Sequence, residues 1–153
     1  MEKLKSLENL TNELKKLPSV GTKSAERMAY SLLDWDEEEI KNLCDALTQV
    51  KKKIHKCPKC GILTENELCE VCSSPNRDTT KLMVVCYQKD AIAFENSDSF
   101  NGLYHVLGGV LSIQNGVSYE DLGIDSLLHR VQNEDIKEVI LATEPTLDGE
   151  TTA

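Results

Sequence analysis

Cys57-Pro-Lys-Cys60 and Cys69-Glu-Val-Cys72 limit what this chain can fold into more than any other stretch. Each C-x2-C knuckle turns two thiolates to one side. Two knuckles separated by eight residues complete a tetrahedron around one metal ion. Gly61 follows the first knuckle and eases its tight turn. The segment between the knuckles is too short to bury a core of its own, so the metal supplies its stability. Structural zinc, held by all four cysteines with no position left open for catalysis, is the reading; iron–sulfur ligation is its main rival. A disulfide framework suits secreted chains, and the N-terminal MEKLKSLENL lacks the apolar stretch and cleavage site of a secretory signal. The expectation is therefore a cytoplasmic protein. No apolar run approaches the ~18 residues of a membrane span. His55 is an alternative zinc ligand, and Cys44 and Cys86 are read as core packing.

The chain before the cysteines reads as helical, and the chain after them alternates strand and helix. Ser6 is the expected cap of a first helix that places Leu7, Leu10, Leu14 and Leu17 on one face and stops at Pro18. A second helix fits Lys23 to Leu33, with Ala25, Met28, Ala29 and Leu32 apolar. Asp36 is the expected N-cap of a third, whose first turn is acidic and whose stripe is Ile40, Leu43, Leu47, Val50 and Ile54. Beyond the cysteines, residues 82–86 and 138–144 read as buried strands. LYHVLGG reads as strand and turn, and DAIAFENS and GIDSLLHRVQNED contain helices. Alternation of this kind implies a mostly parallel α/β sheet. The domains are drawn at 1–54, 55–78 and 79–153.

Between the first two helices lies LPSVGTK, residues 17–23. A glycine at Gly21 lets another backbone come close, and the first amides of the second helix favour an anion. Lys23 and Arg27, one turn apart, flank that spot, with Lys15 and Lys16 just before it and Ser19 within it. The alternative is an ordinary helical corner. Charge is uneven: residues 1–60 hold 12 Lys and Arg against 10 Asp and Glu, and residues 61–153 hold 5 against 16. The whole chain carries a formal charge of -9. With a Debye length of only about 8–10 Å, acidic residues elsewhere need not cancel a basic hairpin. Lys51, Lys52 and Lys53 read as a solvated helix end, with auxiliary phosphate contact, beside Lys56 and Lys59, as the alternative. His105 is read as structural or interfacial, and no phosphate-binding G-x-x-x-x-G-K-[ST] loop occurs.

Together, LPSVGTKSAERMAYSLL, CPKCGILTENELCEVC, YHVLGGVLSIQNGVSYEDLGIDSL and EVILATEPTLDGETTA resemble the bacterial RecR family over essentially the whole chain. The resemblance implies an α+β chain of several modules. These are an N-terminal helix-hairpin-helix, a small zinc finger, and an incomplete α/β Toprim-like parallel sheet. It implies a non-enzymatic DNA-repair mediator that assembles as a dimer or ring-like tetramer, binds gapped or single-stranded DNA, and works with RecO and RecF to load RecA. The family's hairpin has glycine where Ser19 stands. Its first Toprim strand ends in E-D-P, where this chain has Cys86, Tyr87 and Gln88. A hard magnesium ion wants carboxylate oxygens, so Cys86 argues against a metal-dependent nuclease or topoisomerase centre. Glu144, Asp148 and Glu150 suit a basic partner surface instead. Family members run on past residue 153, through further Toprim strands and a segment that contributes to ring contacts. The alternatives are an adaptor that has lost DNA binding, or a magnesium-dependent Toprim enzyme.

Overall fold

The computed structural model describes residues 4–153. The chain divides near Lys52 into two compact units, each with its own architecture.

The first unit is helical. Helix α1 (Lys5–Leu14) packs on α2 (Thr22–Ser31), which runs into a short 3-10 turn at Leu32–Asp34. Ala25 and Ala29 are the buried residues of α2, and their small side chains let the helices approach closely. Leu7, Leu10 and Leu14 of α1 are half-buried. Leu17 is not part of that face: α1 ends at Leu14, so Leu17 falls in the turn and is exposed. Ser6 does not cap α1 either. Leu4 holds the N-cap position, because the helix already begins at Lys5, ahead of the serine signal. Asp36 does cap α3 (Glu37–Lys53): the Glu39 amide donates to Asp36 Oδ1 at 2.8 Å, and the Asp36 amide donates to Glu39 Oε2 at 3.0 Å. This reciprocal pair is a capping box.

Helix α3 buries none of its residues. Leu43, Leu47 and Val50 form the expected stripe, yet all three are exposed. Cys44, on the same helix, is exposed rather than in a core. Periodicity marks the apolar side of a helix but not whether anything covers it.

The second unit is a three-stranded parallel sheet carrying the cysteine segment on one edge. Strands β3 (Asp78–Val85), β4 (Gly102–Val106) and β5 (Glu138–Ala142) lie in the order β4-β3-β5, joined by α5 (Gln88–Asn96) and α6 (Ile124–Asn133). Leu82–Val85 and all of β4 are buried without alternation, as in parallel sheets covered on both faces. On one face Tyr104 meets Phe100 edge-to-face at 5.3 Å. His105, the next residue and so on the opposite face, bonds the Gly123 carbonyl at the start of α6 through Nε2 at 2.8 Å. Burial lowers its pKa and keeps the ring neutral, which agrees with the structural reading of this histidine. Arg77 clamps Glu95 through its two terminal guanidinium nitrogens, Nη1 and Nη2, tying the start of β3 to α5. A final helix, α7 (Leu147–Thr152), is capped by Thr146, whose Oγ1 accepts from the Gly149 amide at 3.0 Å. No helix among the described residues is long and apolar enough to cross a membrane.

A four-cysteine centre and a basic hairpin

The cysteine segment is a pair of knuckles with very little secondary structure. Strands β1 (His55–Lys56) and β2 (Leu63–Thr64) pair antiparallel across the first knuckle. The single-turn helix α4 (Glu70–Ser73) carries the second. The Cys57 amide donates to the Ile62 carbonyl at 2.7 Å, and the Gly61 amide to the Cys57 carbonyl at 2.9 Å. Gly61 has φ +81, and a side chain there would stand 2.9 Å from the Val106 carbonyl oxygen. The turn and the close approach both require glycine.

The sulfurs of Cys57, Cys60, Cys69 and Cys72 all lie within 4.8 Å of one another, three of the residues being buried. A Zn–S length of about 2.3 Å sets tetrahedral S···S separations of about 3.8 Å, so the cluster has the size of a zinc tetrathiolate. Cys60 and Cys69 Sγ are 3.4 Å apart. Hydrogen bonds from Cys60 and, less, from Cys69, with a smaller share from the charge of Arg130, bring the Cys72 thiol down to about 6 against the opposing effect of burial. Cys60 is pushed up, first by its bond with Cys72 and then by burial; burial raises Cys69 to about 11. His55 is exposed, and its Nδ1 lies 3.1 Å from the Lys53 carbonyl, outside the cluster.

The finger is seated on the outer edge of β4. The Val106 amide donates to the Cys60 carbonyl at 2.8 Å. Two residues back on the same edge, the Tyr104 carbonyl accepts from Arg130 Nη1 at 2.7 Å. Arg130 is buried, and its Nε lies 3.2 Å from Glu134 Oε2; Glu134 also pairs with Lys59 inside the first knuckle at 3.5 Å. Sequence reading missed Arg130 and Glu134. The available signal was their i,i+4 spacing across the end of α6 and its C-cap, which marks a helical ion pair but not its burial.

In the hairpin, Gly21 is the N-cap of α2, with φ -81 and ψ 172, and no side chain caps the helix. The first α2 amide to find a helical partner is that of Ala25, on the Gly21 carbonyl at 2.9 Å. The leading amides are therefore left for an outside acceptor. Lys15, Lys16, Ser19, Gly21, Lys23 and Arg27 are all exposed. Lys23 and Arg27 share one cleft on α2 with Tyr30 and Ser31. Lys16 is engaged by Glu13 at 2.7 Å. The left-handed residue of the turn is Ser19, with φ 66, and not Gly21.

At the carboxyl ends of the sheet, Cys86 is fully buried and its thiol is pushed up by that burial. Glu144 lies 3.3 Å from Lys89 Nζ, which also sits 4.8 Å above the Tyr87 ring. Asp148 and Glu150 occupy the first turn of α7, where the helix dipole favours them; Asp148 is half-buried and Glu150 exposed.

Three family models match consecutive parts of the chain: the RecR helix-hairpin-helix at residues 7–51, the RecR four-cysteine zinc finger domain at 54–74, and the Toprim domain at 80–153. That order, on the fold just described, defines a modular Toprim protein built around a zinc finger. Recombination protein RecR of Lactobacillus helveticus is 49% identical over 146 residues, covering 95% of this chain and 73% of the relative. Its counterpart from Lactobacillus acidophilus is 47% identical over the same shares. The one from Acidothermus cellulolyticus is 44% identical over 96% of this chain and 74% of its own. The chain belongs to the RecR family of recombination proteins, and its cofactor is one zinc ion.

Proposed function

We propose that this chain is a non-catalytic DNA-binding mediator of recombinational repair, which holds DNA phosphates at the α1–α2 hairpin. The observation that carries the reading is the uncapped start of α2 beside the exposed Lys23 and Arg27. Free helix-terminal amides and two cations one turn apart form an anion site that reads phosphate and carries no base information. Gly21 leaves the approach open, with Lys15 adding charge and Ser19 and Lys16 at the rim.

Cys57, Cys60, Cys69 and Cys72 hold the zinc as scaffold. The exposed Leu43, Leu47 and Val50 of α3 support a homo-oligomer, a dimer or a tetrameric ring, because burying such a stripe against a second copy removes it from water. Several copies then multiply modest phosphate contacts into useful avidity. Glu144, Asp148 and Glu150 are the surface offered to basic protein partners of the RecO and RecF type, through which RecA would be loaded on gapped or single-stranded DNA. The nucleoid is where such a protein would work. A buried thiol at Cys86, where a magnesium centre would want a carboxylate, and a Glu144 already paired with Lys89 support a non-enzymatic role.

The test is binding to a gapped duplex across a salt series, comparing the protein with a Lys23→Glu/Arg27→Glu double variant. A steep salt dependence is expected, with a large affinity loss and a slope shallower by roughly one unit for each phosphate contact removed. Equal, weak binding by both proteins would replace this reading with the adaptor. That second reading draws on the Glu13 grip on Lys16 and on serine in the left-handed turn position.

A further inference from the structure

Arg130 is a charged side chain buried in the second unit with an unused donor. Its accessible surface is 3% of the free value. Nη1 is satisfied by the Tyr104 carbonyl and Nε by Glu134, but Nη2 has no hydrogen-bond partner. A buried guanidinium is costly to leave partly unpaired, so such a group calls for an explanation.

Its position supplies one. The Tyr104 carbonyl that it grips and the Val106 amide that donates to the Cys60 carbonyl are adjacent stations on the same strand edge. Its carboxylate partner is also shared: Glu134 pairs with Lys59, which lies between Cys57 and Cys60. Two cations on one carboxylate leave this cluster net positive where it touches the first knuckle. Four thiolates outnumber the charge of a zinc ion, so the loaded centre is net negative.

We propose that Arg130 is the positioning counter-charge of the zinc site, offsetting the negative tetrathiolate and locking the finger to α6 and the edge of β4. The proposal rests on the four cysteines being the zinc ligands. It adds that metal retention depends on a residue 58 positions beyond the last cysteine of the finger, a separation read from the numbering.

The test loads the whole chain with zinc, or with cobalt as a spectroscopic substitute, and measures bound metal, transfer to a competing chelator and the thiolate-to-cobalt absorption band. Wild type binding less than one zinc per chain would sink the ligand assignment itself, which separates that failure from failure of the counter-charge. With zinc bound, Arg130→Gln is expected to weaken it about ten- to a hundredfold, the usual effect of losing an outer-shell partner, and to shift the cobalt band. Arg130→Lys, which keeps the charge, recovers part of the affinity. Glu134→Gln keeps zinc at least as tightly as wild type, because it removes the competing negative charge. Unchanged zinc affinity in Arg130→Gln overturns the proposal. So does a lysine variant no better than the glutamine, or a Glu134→Gln loss as large as that of Arg130→Gln, since either marks a packing clasp. Where Arg130→Gln does not fold, the other two variants decide: zinc held as in wild type by Glu134→Gln and bound at full stoichiometry, if more weakly, by Arg130→Lys supports the counter-charge, and a chain of either variant that binds no zinc overturns it.

Discussion

Alanine at Gly21 distinguishes a glycine required by its own backbone from one required by a visiting ligand. The backbone there has φ -81 and ψ 172, which any residue can adopt, and a Cβ would meet nothing within 4 Å. Removing glycine restricts the unfolded chain and stabilises by about 0.4–1 kcal/mol at a compatible site. Opposing this, alanine is a poorer N-cap than glycine, by an amount on the order of 0.5–1 kcal/mol. The two terms nearly cancel, so urea melts of Gly21→Ala and wild type should agree within about 0.5 kcal/mol. DNA binding should not be neutral. The new methyl occupies the space beside the free amides of α2, and a phosphate held there would be displaced. A drop of about tenfold, equivalent to about 1.4 kcal/mol, is expected by fluorescence anisotropy on a gapped duplex at fixed salt. Unchanged DNA affinity in a normally stable variant would refute a backbone–phosphate contact at this position. A loss of several kcal/mol in the melt would instead refute the claim that the site is sterically open.

Ser19→Gly should stabilise the first unit by roughly 0.5–1 kcal/mol. A left-handed conformation costs a non-glycine residue about 1–2 kcal/mol, of which glycine's extra unfolded-state freedom returns about half; a lower urea midpoint would contradict this. Arg77 holds the Glu95 carboxyl below its ordinary range, so this pair stabilises the fold above the unfolded glutamate value and loses that contribution as pH falls through the lower folded value. The Glu95→Gln variant should therefore be less stable than wild type near neutrality, on the order of 1–2 kcal/mol for a half-buried bidentate pair. The gap should close in acid; a pH-independent gap in paired melts would assign the effect to packing.

What was legible in the sequence was set by neighbours along the chain. Asp36 and Glu39 form a capping box because both partners lie within one turn. The C-x2-C knuckles converge because local turns aim the sulfurs. The apolar run of β3 announces a strand covered on both faces, but the like run of β5, expected to be buried, leaves Val139 and Leu141 exposed, because a run of apolar residues does not say what covers it. The misreadings depended on information the local pattern does not carry. The α3 stripe and Cys44 looked like core, but a helical period does not say what covers a helix. Ser6 looked like a cap, yet the helix begins at Lys5. The left-handed turn position fell on Ser19 instead of the glycine, which local composition would have favoured. Arg130 was invisible because its carbonyl partner is 26 residues away, and only the folded sheet brings them together.

The Cys60 carbonyl does for β4 what another strand would do. Outer strands are templates on which foreign chains can add, and soluble proteins blunt them with charges, bulges or covering segments. Here the cover is a metal-dependent knuckle, so protection of this one edge is tied to zinc supply. A chain synthesised in zinc starvation would free the Val106 amide on that edge, leaving only Arg130 on the Tyr104 carbonyl to guard it, and strand addition by a neighbour would compete with refolding of the finger.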